Sequence, residues 1–205
     1  MPSPKLLRIC LVLSLLVSSG VAAARGWYER GHGRAPSGNR VYVCHGYGCR
    51  IVTPVQFSAA DLKRIAGPLS AKIADAAAER QAISRSVQAF ETIVGERVGA
   101  SGDRPGMQFG RGEKGQMDCI DEATNTTSLL TVLLQQGYLK HHEVLEPSAR
   151  GFFIDGRYPH ATAVLAEAAG GAKWAIDSWP RANGEPPVVQ PLPEWLRSRS
   201  GAIPS

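Results

Sequence analysis

The sequence predicts an α+β fold, with a cysteine-bearing helix followed by an antiparallel β pair. Three observations lead there. Two central stretches repeat apolar residues at three- and four-residue steps, the period of a helix. Two later segments of β-type composition flank a turn of small residues, Glu167 to Gly171. A polar turn, Gly115 to Glu122, runs straight into the second helical stretch and carries Cys119.

The chain has 205 residues, and residues 1–24 read as an address. Lys5 and Arg8 form a short basic leader, Ile9 to Val17 is an apolar run, and Ala22-Ala23-Ala24 supplies small residues for a signal peptidase. The run is too short to span a bilayer, so no stable membrane span is expected. The mature chain then starts near Arg25 in an oxidising compartment, periplasmic or secreted. Removing the leader lowers the formal charge from +5 to about +3, with no basic cluster, which argues against a nucleic-acid partner. Residues 25–57 read as an arm, mobile over the Gly-, Arg- and Pro-rich stretch to Arg40, and a two-cysteine loop. Residues 58–205 read as one domain that opens with helices.

Export leaves Cys44, Cys49 and Cys119, an odd number outside the cytosol. Cys44-His45-Gly46-Tyr47-Gly48-Cys49 lies between the β-type runs Val41-Tyr42-Val43 and Ile51-Val52. Its two glycines permit a tight turn closed by a local disulfide. A metal half-site using His45, or a redox-active pair, is the alternative, although the spacing is not Cys-x-x-Cys. The disulfide leaves Cys119 as the free thiol.

Ser58 caps a helix at Ala59 with Asp61 in its first turn. Gly67-Pro68 interrupts it, and a longer helix is predicted from about Ser70 to Val98. Ile73, Ala77, Ile83, Val87, Phe90, Val94 and Val98 form its apolar face. Lys72, Asp75, Glu79, Arg80, Arg85 and Glu91 are assigned to the wet side. Gly99 to Lys114 is a glycine-rich connection.

The cysteine helix is predicted over Asp121 to Gln136, with Gly137 as its stop. Cys119 then sits at or just before the first turn, where unpaired N–H groups and the helix dipole favour a thiolate. Asp118, Asp121 and Glu122 act in the opposite sense, so a histidine partner is needed. With the turn centred between Ala168 and Ala169, His160 and Asp177 are equidistant from it and face each other across a hairpin. Asp177 would then hold one imidazole nitrogen and leave the other for the thiol. A structural role for a strand histidine is the alternative. His141 and His142 lack an evident acid partner and are placed on a connecting strand. The Gln116 amide, with the Cys119 backbone N–H, is either an oxyanion donor or a solvent-facing loop residue.

Gln116-Met117-Asp118-Cys119, Pro159-His160-Ala161-Thr162-Ala163-Val164 and Trp174-Ala175-Ile176-Asp177-Ser178-Trp179 together resemble the bacterial transglutaminase-like cysteine proteinases, over roughly Gln108 to Trp195. The resemblance implies a papain-like core with Cys119 as nucleophile, His160 as acid and base, and Asp177 as the orienting residue. Exported members of that family with acidic residues beside the cysteine bind calcium. By the same resemblance Asp118, Asp121 and Glu122 would offer hard oxygen ligands, although none is required for the chemistry. Capping and solvated charge is the alternative for these three.

The expected function is hydrolysis of an amide in a protein or peptide substrate through a thioester. Transfer to an amine would use the same residues. The competing expectation is a non-enzymatic envelope scaffold on the same fold. A metal site built on Cys119 and His160 lacks further ligands.

Overall fold

The computed structural model describes residues 24–106, 113–151 and 159–198. Residues 1–23 of the expected leader, and part of the connection after Gly99, lie outside them. The fold is α+β. Its elements in chain order are α1 (Arg25–Glu29), β1 (Arg40–His45), β2 (Ile51–Gln56), α2 (Ala59–Ala66), α3 (Ala76–Val98), α4 (Cys119–Gln135), β3 (His142–Arg150), β4 (His160–Glu167), β5 (Lys173–Asp177), β6 (Val188–Pro191) and α5 (Leu192–Arg197). No helix among the described residues is long and apolar enough to cross a membrane.

Strands β1 and β2 form a two-stranded antiparallel ribbon, and β3 to β6 form an antiparallel sheet in the order β3-β4-β5-β6. The main core joins the two. Val41, Val43, Val55 and Phe57 from the ribbon pack with Ile83, Phe90 and Val94 of α3, with Leu129, Leu130 and Leu133 of α4, and with Ala163, Leu165 and Ile176 of the sheet. Residues 40–57 therefore share one core with the later helices. Burial of α4 is nearly all-round: the polar Thr124, Asn125, Thr126, Thr127, Ser128 and Thr131 are buried beside the leucines. Several of these polar groups are satisfied by the helix itself or by the ribbon. Thr131 donates to the Thr127 carbonyl, and Asn125 exchanges bonds with both backbone groups of Cys44.

Three expectations are corrected here. The long helix begins at Ala76 rather than Ser70, because the Asp75 side chain accepts the Ala78 N–H and caps it there. Glu79 and Glu91 are buried, not on the wet side. Glu79 accepts from the backbone N–H groups of Lys140 and His141, at 2.6 and 2.9 Å, and pairs with His142 Nδ1 at 2.8 Å. His142 thus has an acid partner, supplied from α3. In the stretch after the leader, α1 lays Trp27 into a buried cluster, and Gly33 lies close against the disulfide, where a Cβ would come within 2.6 Å of Cys44 Sγ.

Candidate functional site

Cys119 is the first residue of α4. The sequence starts the helix there because Asp118 caps it, accepting from the N–H groups of Ile120 and Asp121, while Asp121 reaches back to the Asp118 N–H. Gly115 lets the preceding turn pass close to the end of α3. Its φ is +83°, and a Cβ would lie 2.1 Å from the Gly99 carbonyl oxygen.

The start of α4 is also held from outside. Cys44 and Cys49 form a disulfide, as expected. Gly46, Tyr47, Gly48 and Cys49 inside its loop all adopt positive φ. This left-handed run turns the N–H groups of Tyr47 and Cys49 onto the two carboxylate oxygens of Asp121, at 2.8 and 2.6 Å. The loop is thus a cradle of backbone donors for one carboxylate.

Strand β4 supplies His160 and β5 supplies Asp177. Their rings and oxygens meet: His160 Nε2 lies 2.6 Å from Asp177 Oδ2, and both residues are buried. The pairing differs from the expected one. Val164 is opposite Ala175 and Ala166 opposite Lys173, so continuing that register sets Asp177 across from Thr162, two positions from His160. The turn is centred one residue later than expected because Gly170 and Gly171 take positive φ and the Glu167 N–H bonds the Ala172 carbonyl. A displacement of two preserves the face, so the pair meets on the diagonal.

Cys119 and His160 line one cavity of about 270 Å³, with walls from Trp27, Ile120, Pro159 and Trp179. Trp27 donates to Thr124 Oγ1 at 2.8 Å and stacks on His32, and Trp179 lies 4.7 Å from the His160 ring. The thiol donates to the Pro159 carbonyl at 3.8 Å, and the sulfur also accepts from the Ala161 N–H. These two residues flank His160. No hydrogen bond joins sulfur and imidazole, and among the described residues His160 Nδ1 has no partner. Burial first, then the charge of Asp118, pushes the Cys119 thiol up to about 12. The proton therefore rests on sulfur.

Gln116 is not brought to this cavity. Its Nε2 donates to the Gly102 carbonyl at 2.9 Å, and its Oε1 accepts from the Arg104 backbone and guanidinium, so the amide staples the connecting loop. Asp118 Oδ1 and both oxygens of Asp121 accept from backbone donors, and Glu122 is buried with its carboxyl held well above the usual range, by burial and then by neighbouring acids. Among the described residues, the grouping that brings three metal-binding atoms within 4.8 Å of one another is Cys44, Cys49 and Asp121. Its sulfurs are bonded to each other, so an ion there would require the disulfide to open.

Sequence reasoning assigned no role to Trp27, His32 or Trp195. The first two belong to a segment read as a mobile arm. Trp195 contacts Asp177 from the far end of the chain and left no spacing signal. No family model, curated protein or solved structure matches this chain.

Proposed function

We propose that the protein is a cysteine hydrolase of transglutaminase-like type, with a papain-like core in which α4 carries the nucleophile and β4 and β5 carry its base and orienting acid. The observation that carries this reading is that Cys119 and His160 line one cavity, with His160 Nε2 committed to Asp177 and Nδ1 left without a hydrogen-bond partner among the described residues. A neutral imidazole that donates through Nε2 is an acceptor at Nδ1.

Because the resting thiol is protonated, His160 acts as a general base rather than as half of a standing ion pair. Sulfur gives its proton to Nδ1 as it attacks the amide carbonyl. The imidazolium then gives that proton to the departing amine, and a water activated by the same nitrogen hydrolyses the thioester. The Cys119 N–H lies in the first turn of α4, where no intrahelical acceptor competes for it, and would serve the oxyanion. The walls next to sulfur are mostly apolar, which favours an uncharged side chain beside the scissile amide. Exported location and a protein or peptide substrate belong to the same proposal.

Incubation of the full chain with unfolded proteins and peptide amides, read by mass spectrometry, tests it. New termini should appear with wild type and disappear with Cys119→Ala. Cleavage that survives that change would overturn the reading.

One observation favours a non-enzymatic binding module instead: Trp27 closes over a thiol with little ionised form. Full resistance of Cys119 to alkylation under all conditions that leave the chain folded, together with no cleavage, would select it.

A further inference from the structure

Asp177 is held from a second direction. Its Oδ2, the oxygen that bonds His160, also accepts the indole N–H of Trp195 at 2.7 Å. Trp195 sits on α5, which follows β6 directly, and is fully buried. Its ring centroid lies 5.3 Å from that of His160. Behind it stands Arg150, which is opposite His160 in the β3–β4 register. The Arg150 guanidinium carbon lies 4.3 Å above the Trp195 ring, and its Nη1 donates to the Trp195 carbonyl at 2.7 Å and also bonds Ser198.

Filling this space requires only a large apolar ring, but the indole does more. Its N–H is a donor with no acceptor character, aimed at one of two carboxylate oxygens. The other oxygen, Oδ1, has no hydrogen-bond partner among the described residues. A carboxylate held at Oδ2 alone by an imidazole is free to turn about its terminal torsion, which is broad. Two donors converging on Oδ2 from different elements remove that freedom.

We propose that Trp195 is a positioning residue for the Cys119–His160 site: its indole N–H pins Asp177 Oδ2 and so keeps His160 in the Nε2–H tautomer, with Nδ1 left unprotonated. The assignment rests on the hydrolase reading for its purpose, though not for its geometry. Packing alone would leave the tautomer indifferent to the N–H.

Nitrogen-15 spectra of the full chain labelled at histidine, taken where the ring is neutral, test it. In wild type His160 Nδ1 should show the shift of an unprotonated nitrogen. In Trp195→Phe the two ring nitrogens should move toward a common, averaged value as the tautomers mix. Loss of one bond to a charged group should also lower kcat roughly tenfold with KM little changed. Unaltered His160 nitrogens in a folded Trp195→Phe protein would overturn the proposal while leaving the hydrolase reading standing, because that reading is decided by Cys119→Ala. If the phenylalanine protein does not fold, benzothienylalanine at 195 keeps both rings and replaces N–H by sulfur, and the same shifts decide. In wild type, Asp177→Asn should displace the Trp195 indole N–H resonance, and its failure to move would also overturn the proposal.

Discussion

The Cys49 backbone N–H donates to Asp121 Oδ1 at 2.6 Å across 72 positions of sequence. This bond, with its partner from Tyr47, ties the first turn of α4 to a loop closed by a disulfide at the end of the β1–β2 ribbon. Two residues of that loop, Tyr47 and Cys49, carry side chains in the left-handed region, where such residues are uncommon without external support. Closure of the loop supplies that support.

Replacing both Cys44 and Cys49 by serine should therefore cost more than loop entropy. For a ring this short the entropic part is about 2 kcal/mol. The rest comes from Asp121 losing its donors, so Asp121→Ala should be less damaging in the double-serine protein than in wild type. Urea unfolding of the four proteins measures the difference. Additive losses would mean that the loop and the carboxylate act separately.

Trp27 should control the state of the thiol. With burial holding the thiol up at about 12, Cys119 is far less ionised at pH 8 than a free cysteine. Trp27→Ala opens a wall of the cavity and admits water, so the midpoint of the iodoacetamide rate against pH should move down. Labelling at pH 8 should rise at least tenfold. A faster rate with an unmoved midpoint would show improved access alone.

Glu79 should matter for folding and not for the cavity chemistry. Its two oxygens serve Lys140, His141 and His142 at the entrance to β3. Glu79→Ala leaves the buried His142 ring without its acid, takes an acceptor from the more exposed Lys140 and His141 N–H groups, and should lower stability by about 3 kcal/mol. Glu79→Gln keeps one acceptor oxygen and should cost less. Equal urea midpoints for the two variants would contradict this account.

Burial, ahead of every other cause, raises the carboxyls of Glu91, Asp103 and Asp121 to about 7. Below about pH 4 folded and unfolded chains both keep these protons. Between about 4 and 7 the unfolded chain releases them and the fold retains them, so raising the pH favours unfolding. Above 7 both forms are ionised and the effect levels off. The midpoint of thermal unfolding should accordingly be higher at pH 5 than at pH 8, and Glu91→Gln should flatten the dependence. A melting point that climbs across that interval would refute the assignment of these protons.

Local chemistry was legible in the sequence, and distant contact was not. Ser58 caps its helix at Ala59, where spacing puts it; the cysteine helix starts at Cys119, two residues before the expected Asp121, because Asp118 caps it, and the glycines at 170 and 171 shift their turn by one residue. The His160–Asp177 contact survived a register displaced by two because strand side chains alternate with period two. Gln116, one loop removed from its expected place, answers to Gly102 and Arg104 instead of to the cysteine next to it. Glu79 with His142, and Trp27 with Thr124, are brought together by helix packing over 63 and 97 positions. No local period records such meetings.

The disposition of the site along the chain has a kinetic side. His160 and Asp177 are 17 positions apart in one hairpin, whereas Cys119 reaches its contact at Pro159 across 40. Closing the shorter loop costs less entropy. Microsecond hairpin formation can thus join imidazole to carboxylate before α4 docks on the sheet. A chain arrested between these events holds the His160–Asp177 pair without Cys119 beside it, and its thiol stands in water at an ordinary acidity. Rapid alkylation of Cys119 would mark that intermediate, and protection from alkylation would time the moment when α4 arrives.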